Sequence, residues 1–242
     1  MLYIGLDDTD TLGTPGTGQL ARGIAAMLTE SYPISGVVRQ QLFFDPRVPF
    51  TKNNSSACIM LANGSETGSL QTQESERYLM LAIGEKVRAF MQAHFQPGSD
   101  PGLCVSTIAP PVFTAFGRRA QRELVTQMEA RALAAEYGVL LEGLGGTEDG
   151  VIGALAAVGL AASGDDGRYI LVGRSRDLTG LQPVEALLEA GIAMVQTAEG
   201  VPVSEGLVLT DRLRPARRQG RPVAVVTWSG EHGGCWLPLK LD

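Results

Sequence analysis

The sequence predicts an α+β protein, because strand-like and helix-like segments follow one another in a mixed order. Over residues 1–108 the predicted order is β-α-β-β-α-β, which is compatible with a ferredoxin-like unit. After about residue 195, apolar and polar residues alternate between Gly and Pro breaks, a pattern typical of short strands. We therefore expect a ferredoxin-like core with additional α/β elements in residues 1–175. Residues 176–242 are expected to form a smaller, strand-rich C-terminal part.

Hydrophobic periodicity places the elements of the first unit. They are, in chain order, a strand at 2–6, a helix after the loop 11–18, strands at 36–44 and 57–61, a helix at 74–95 and a strand at 102–108. The apolar stripe of the second helix is expected to comprise Leu79, Ile83, Val87 and Phe90.

The later elements rest on the same reasoning. Pro110-Pro111 ends the first unit, and one long helix with a charged and an apolar face is predicted over 115–137. A Gly-rich turn at 145–150 opens a helix at 151–161, whose many Gly and Ala residues indicate close packing. Further predicted elements are strands at 139–144 and 168–172 and a helix at 181–195.

Composition limits the function classes. A net charge of −6 argues against nucleic-acid binding through overall charge alone, because neutralising phosphates requires clustered Lys and Arg. The longest run of small and apolar residues is shorter than the ~18 residues of a membrane span. No signal peptide is recognisable, so we expect a cytoplasmic protein without membrane association. The separated Cys58, Cys104 and Cys235 predict reduced, mostly buried thiols.

Three carboxylates follow the first strand within four residues, at Asp7, Asp8 and Asp10. A divalent cation would offset their repulsion, and hard oxygen ligands suit Mg²⁺, which usually bridges to substrate phosphates. The position favours this interpretation, because ligands of open α/β sheets gather beyond the carboxyl ends of strands. The alternative is an Asp-rich turn whose side chains cap the next backbone amides.

Two other segments have features of phosphate sites. The Gly-rich turn at 145–150 presents backbone amides at the start of a helix, although ordinary turn chemistry explains such glycines equally well. Lys52 lies among small polar residues and is a candidate phosphate clamp, or else an exposed loop lysine. The P-loop and GxGxxG signatures are absent from the sequence, and His94 and His232 lack the spacing of metal ligands.

A basic cluster lies near the C-terminus. It comprises Arg212, Arg214, Arg217, Arg218 and Arg221. Such a cluster is either a solvated loop or a local patch that binds RNA.

Three segments, in this order and spacing, resemble a known family. They are Gly5-Leu6-Asp7-Asp8-Thr9-Asp10-Thr11, Val48-Pro49-Phe50-Thr51-Lys52-Asn53 and Gly150-Val151-Ile152-Gly153-Ala154-Leu155-Ala156-Ala157. Together they resemble the archaeal isoleucine-tRNA agmatinylcytidine synthetase, and the resemblance covers about residues 1–175. That family joins agmatine to the wobble cytidine of a tRNA anticodon at the expense of ATP, using a kinase-like domain.

The resemblance implies roles for individual residues. The family's acidic residues, which handle Mg²⁺ and ATP, fall on Asp7, Asp8 and Asp10, and its phosphate-accepting threonine falls on Thr17. A plain helix N-cap is the alternative role for Thr17. Further nucleotide contacts fall on Thr9, Thr11, Lys52, Asn53, Gly150 and Gly153. The chain departs from the family pattern at Gly18, at Asn53-Asn54 and at Glu148-Asp149-Gly150, which replaces a basic residue of the family.

The sequence therefore predicts an ATP- and Mg²⁺-dependent phosphotransferase or ligase that acts on a small-molecule or protein acceptor. A tRNA partner is not expected of this chain alone, since residues 176–242 leave no room for the family's OB-fold and zinc ribbon. One alternative is a non-catalytic module that binds RNA or a partner through the basic cluster. The other is a phosphatase resembling the haloacid dehalogenases, with Asp8 as nucleophile, because Asp8-Thr9-Asp10 follows an apolar strand.

Overall fold

A computed structural model of the chain describes residues 1–48, 51, 53–62, 72–211, 213–230 and 233–240. The chain divides into two compact units, unit 1 (Met1–Ser163) and unit 2 (Gly164–Asp242). This division precedes the strand at Arg168–Leu171, whereas the sequence places the boundary after it, near residue 175. The fold is α+β, as predicted.

Unit 1 contains the predicted ferredoxin-like β-α-β-β-α-β order. Its elements are β1 (Leu2–Asp7), α1 (Thr17–Thr29), β2 (Ile34–Gln41), β3 (Ser55–Leu61), α2 (Gln73–Ala93), β4 (Gly102–Ser106), α3 (Pro111–Ala120), α4 (Gln127–Tyr137), β5 (Leu140–Gly143) and α5 (Gly150–Ser163). The strands lie in the order β5-β4-β1-β3-β2, and these neighbours are antiparallel. β1 is therefore central, and its end carries the aspartate cluster.

The single helix predicted over 115–137 is wrong, because the chain forms α3 and α4 there. Thr126 begins α4 with a capping box: its Oγ1 accepts from the Glu129 amide, and the Glu129 carboxylate accepts from the Thr126 amide. This exchange satisfies amides at the helix start that have no intrahelical partner. Apolar residues keep the helical spacing on both sides of the break, so periodicity alone does not reveal it.

The apolar stripe of α2 differs from the prediction by about one residue. Met80, Ile83, Val87 and Met91 are buried, whereas Leu79 and Phe90 are only partly buried. Ile83 and Val87 are buried as predicted. Met80 and Met91 take the places of Leu79 and Phe90, because the buried face of α2 is rotated slightly about the helix axis from the predicted face.

α5 packs directly on the sheet, as its small residues predict. A Cβ on Gly5 of β1 would overlap the carbonyl oxygen of Ala154, and a Cβ on Gly102 of β4 would overlap the backbone of Gly150. Only glycine allows two backbones to approach so closely. Side chains alternate along β1, so Asp7 lies on the same face as Gly5 and comes against the start of α5.

Unit 2 is strand-rich, as predicted. Its elements are β6 (Arg168–Leu171), β7 (Leu181–Pro183), α6 (Val184–Glu189), β8 (Met194–Thr197), β9 (Leu207–Leu209), β10 (Ala216–Arg218), β11 (Arg221–Ser229) and β12 (Cys235–Pro238). Its strands follow the order β6-β10-β11-β12-β9-β7, and β8 pairs with β11 in parallel.

The helix predicted over 181–195 is wrong. Its residues form β7, the short helix α6 and the start of β8, because Pro183 sets the N-cap of α6 and Gly191 ends the segment with φ +99°. The three cysteines are buried thiols, as expected. In the part of the chain that the structure describes, no helix has both the length and the apolar character that crossing a bilayer requires.

The Gly5–Ala154 approach predicts a large effect of a single methyl group. We expect Gly5→Ala to lower the free energy of unfolding by about 2 kcal/mol or more, because the backbone of α5 must move away from β1. Urea denaturation measures this loss. Gly230→Ala, where the added methyl meets open space, is the control and should change stability by less than about 0.5 kcal/mol. Equal stability of the two variants would contradict the packing argument.

Candidate functional site

A cleft with a volume of about 210 Å³ opens in unit 1 beyond the end of β1. Its polar lining residues are Asp7, Asp8, Asp10, Thr17, Arg47, Thr51, Asn53, Asn54, Ser55, Glu123 and Asp149, and Gly150 and Gly153 also line it. Its apolar lining residues are Leu42, Phe43, Val48, Ala120, Leu124, Val125 and Ile152. The structure therefore brings the three sequence segments of interest to one cavity.

A hydrogen-bond network surrounds Thr17, which is only 6% exposed. The Thr17 hydroxyl and backbone amide each donate to Asp10 Oδ1 at 3.2 Å. Thr9 Oγ1 donates to Thr17 Oγ1 at 3.1 Å, and Thr51 Oγ1 donates to Asp10 Oδ2 at 2.9 Å. Asp10 thus acts as the capping carboxylate of the Asp-rich turn and also accepts the hydroxyl proton of Thr17 in a hydrogen bond.

Thr17 itself is not the N-cap. The N-cap of α1 is Gly16, which has no capping side chain, and Thr17 is the first helical residue. The hydroxyl of Thr17 is therefore not occupied in capping its own helix. Its orientation is set by Asp10 and Thr9.

The Asp7 carboxyl group lies against α5, where Gly153 leaves it room. A Cβ at position 153 would overlap the Asp7 carboxylate. The pKa of Asp7 is raised to about 8, chiefly because the group is buried; the charges of Asp8 and Asp10 add to the rise, and the hydrogen bond from the Asp8 amide opposes it. The negative form of Asp7 is thus disfavoured unless positive charge comes close.

Asp8 follows in a left-handed backbone conformation, with φ +49°. Aspartate is among the few residues that adopt this conformation at modest cost. Burial raises the pKa of Asp8 to about 6, with contributions from the charges of Asp100, Asp10 and Asp149. The acidic cluster therefore has five members, of which the sequence analysis did not identify Asp100 and Asp149 as part of the site.

Asp100 fills the Gly-rich turn before α5. Its Oδ1 accepts from the Thr147 amide at 2.9 Å, and its Oδ2 accepts from the Thr147 hydroxyl at 2.5 Å. A Cβ on Gly146 would overlap this carboxylate. The turn therefore binds an internal carboxylate through the Thr147 amide and hydroxyl, and the Gly150 amide donates to the Asp100 carbonyl.

Two buried polar side chains follow Asp7 across the neighbouring strands of the sheet. Leu6 of β1 pairs with Ala57 of β3, so the next residue of β1, Asp7, comes opposite Ser56. Ser56 in turn pairs with Gln40 of β2. Both are fully buried, and their side-chain polar atoms have no hydrogen-bond partner among the described residues. The signal in the sequence is a polar residue inside an otherwise apolar strand, which the sequence analysis did not use.

Of the remaining residues predicted to contact the nucleotide, some line the cleft and others bond to neighbouring threonines. Asn53, Gly150 and Gly153 line the cleft. Thr9 contacts Thr17, and Thr11 is tied to Thr14 within its own loop, where its amide donates to Thr14 Oγ1 at 2.8 Å. Lys52 lies outside the described residues.

Positive charge is scarce in the cleft. Of the lining residues that the structure describes, only Arg47 is basic, and it forms a bidentate pair with Asp45 at 2.7 and 2.9 Å. Across the described ranges, no three Asp, Glu, His or Cys side chains are arranged to hold a metal ion by themselves. The donor set nevertheless fits Mg²⁺, which is commonly held by one or two carboxylates together with water and substrate phosphates.

Three solved structures are similar to the chain over 65% of its length. They are a tRNA fluorescent labeling enzyme (TM-score 0.52, 20% identity), TiaS in complex with a tRNA and ATP (0.52, 21%) and TiaS in complex with a tRNA, AMPCPP and agmatine (0.50, 20%). The chain has a TiaS-like fold. It spans 35 to 36% of the length of those proteins. No protein-family model and no curated protein matches the sequence.

The raised carboxyl pKa values predict a pH-dependent stability. A folded-state pKa of about 8 at Asp7 means that the folded protein binds a proton that the unfolded chain has released above its ordinary pKa of 3.8. The stability that protonated Asp7 contributes is therefore fully present below about pH 3.8, is lost as the pH rises from there to about 8, and does not change further above that. We expect Asp7→Asn to raise the free energy of unfolding at pH about 8 by at least about 1 kcal/mol.

Urea denaturation at several pH values measures this effect. Glu85→Gln, which removes an exposed carboxylate of α2, is the matched control and should leave both stability and its pH dependence nearly unchanged. A destabilising Asp7→Asn at pH about 8 would show that the Asp7 carboxylate is stabilised in its charged form, contrary to our reading.

Proposed function

We propose that the protein is an ATP- and Mg²⁺-dependent phosphotransferase or ligase whose reaction centre is the Asp10–Thr17 pair. The proposal rests chiefly on one observation: a buried threonine hydroxyl donates to a carboxylate in a cleft that carries two further carboxylates of raised pKa. The TiaS-like fold supports it, because TiaS binds ATP in a solved complex.

Asp7 and Asp8 would hold the metal ion. Their burial and mutual repulsion disfavour two negative charges, and a divalent cation removes both costs. When bound, Mg²⁺ supplies the positive charge that offsets the phosphates and these carboxylates. Without it, the acidic lining repels a triphosphate, so nucleotide binding should require the metal.

The apolar lining residues of the cleft suit a nucleobase. Leu42, Val125 and Ile152 are among them, and flat aromatic ligands bind preferentially against apolar walls with a few polar groups nearby. The base would lie against these residues, with the phosphates toward the aspartates and Thr17. Asn53 and Thr51 are polar lining residues in the segment between β2 and β3.

Thr17 is the proposed phosphoacceptor. Its oxygen would form the bond to phosphorus as the bond to the nucleotide leaving group breaks, and its proton would pass to Asp10, which lies 3.2 Å away. Phosphoryl transfer of this kind depends mainly on positioning and charge neutralisation. The second acceptor would be a small molecule, a protein or a tRNA, since a solved TiaS complex contains tRNA and agmatine.

Magnesium-dependent nucleotide binding is the first test. Calorimetry with a non-hydrolysable ATP analogue and Mg²⁺ should detect binding, and Asp7→Asn with Asp8→Asn should weaken it at least about tenfold. The affinity should rise as the pH rises toward about 8, because Asp7 must release its proton to bind the metal. Asp177→Asn, which removes an exposed aspartate of unit 2, should bind like the wild type. Wild-type binding that is unchanged by EDTA would contradict the magnesium role.

Label transfer is the second test. Incubation with γ-labelled ATP and Mg²⁺ should place phosphate on the protein, Thr17→Ala should abolish the label and Thr17→Ser should keep it. Asp10→Asn should slow labelling at least about tenfold, with smaller loss at high pH, because the proton acceptor is removed. Unchanged labelling in Thr17→Ala would refute the assignment. Phosphate release from phosphomonoesters without ATP would instead select the phosphatase alternative with Asp8 as nucleophile.

A further inference from the structure

Ser56 and Gln40 are buried polar side chains to which the proposed reaction gives no role. Both residues are fully buried, and the Ser56 hydroxyl and both polar atoms of the Gln40 amide have no hydrogen-bond partner among the described residues. A buried donor or acceptor without a partner has lost its hydrogen bonds to water and has gained none in return. Native proteins keep few such groups, so the two side chains call for an explanation.

The surroundings of both residues in their strands are apolar. Val38 and Leu42, two residues before and after Gln40, are buried, and side chains at this spacing share a face of a strand. Ser56 is followed in β3 by Ala57–Leu61, all of which are buried and apolar. Packing alone therefore does not require a hydroxyl or an amide at either position.

The sheet register aligns both residues with Asp7. Leu6 pairs with Ala57, so Asp7 comes opposite Ser56, and Ser56 pairs with Gln40. Residues directly opposite each other in antiparallel strands place their side chains on the same face, with Cβ atoms roughly 5 Å apart. Ser56 is therefore the immediate neighbour of Asp7, and Gln40 is the immediate neighbour of Ser56.

Backbone closes the other flank of Asp7. Its partner on β4 is Gly102, which has no side chain, and a Cβ there would overlap the backbone of Gly150. Gly153 of α5 lies against the carboxylate itself. Of the two residues that lie opposite Asp7 in the sheet, only Ser56 has a side chain that donates hydrogen bonds.

We propose that Ser56 and Gln40 are positioning residues for the cation that Asp7 binds. In the metal-bound protein, the Ser56 hydroxyl donates to the Asp7 oxygen that does not bind the cation, and the Gln40 amide donates to the Ser56 oxygen. No existing hydrogen bond has to break, because neither side chain has a partner. Metal-binding carboxylates are commonly oriented by such outer hydrogen bonds. The inference rests on the proposed function, in which Asp7 is a metal ligand.

Replacing Gln40 by methionine separates this role from a purely structural one. Without metal, Gln40→Met removes two unpartnered polar atoms, so its urea midpoint should equal or exceed that of the wild type. Its metal affinity should nevertheless fall at least about tenfold, because Asp7 is no longer held in place. EPR titration measures the affinity for Mn²⁺, which accepts the same octahedral oxygen ligands as Mg²⁺, with a non-hydrolysable ATP analogue present. Gln92→Met, the same change at an exposed position of α2, is the matched control and should alter neither quantity.

Further variants test whether the effect passes through Asp7. Ser56→Ala should also weaken Mn²⁺ binding, whereas Ser56→Thr, which keeps the hydroxyl, should retain more of the affinity. In an Asp7→Asn background, Gln40→Met should cause less than about a twofold further loss, because the carboxylate that it positions is absent. Thermal unfolding checks that each variant folds, and Ser56→Ala provides the test if Gln40→Met does not fold.

The results separate failure of this inference from failure of the proposed function. Wild-type affinity in Gln40→Met and Ser56→Ala would overturn the inference alone, and so would an equally large loss in the Asp7→Asn background. A marked fall of the urea midpoint in Gln40→Met without metal would also overturn it, because the amide would then have a structural partner. A wild-type protein that binds no Mn²⁺ would overturn the proposed function and this inference together.

Discussion

The close approach of α5 to β1 is the constraint on which the site depends. Gly5 and Gly153 remove the side chains that would separate the helix from the strand, and the Asp7 carboxyl group occupies the space so created. A carboxyl group enclosed in this way loses hydration, which raises its pKa. The glycines of the helix and the acidity of the cleft are therefore two consequences of one packing arrangement.

The carboxylates of the site differ in their surroundings. Asp10 accepts bonds from Thr17 and Thr51, and Asp100 accepts bonds from Thr147, so these two carboxylates are stabilised by neutral donors. Burial raises the pKa values of Asp7 and Asp8. One acidic cluster thus contains both carboxylates whose hydrogen bonds orient neighbouring groups and carboxylates that the fold encloses.

Much of this arrangement was predictable from particular residues. The β-α-β-β-α-β order, the aspartates after β1 and the close packing of α5 follow from periodicity, turn residues and small side chains. The break between α3 and α4 was missed because Thr126 and Glu129 form a capping box inside an unbroken apolar repeat. Asp100 was missed because it comes to Asp8 only through the pairing of β4 with β1.

The sequence by itself determined which chemical groups are present and which local elements carry them, because strand and helix periods and turn preferences act over a few residues. The tertiary structure alone decided which of those groups meet. Thr51 reaches Asp10 across 41 residues, and Thr147 reaches Asp100 across 47. Such contacts depend on register and on backbone approach, which no local pattern of residues specifies.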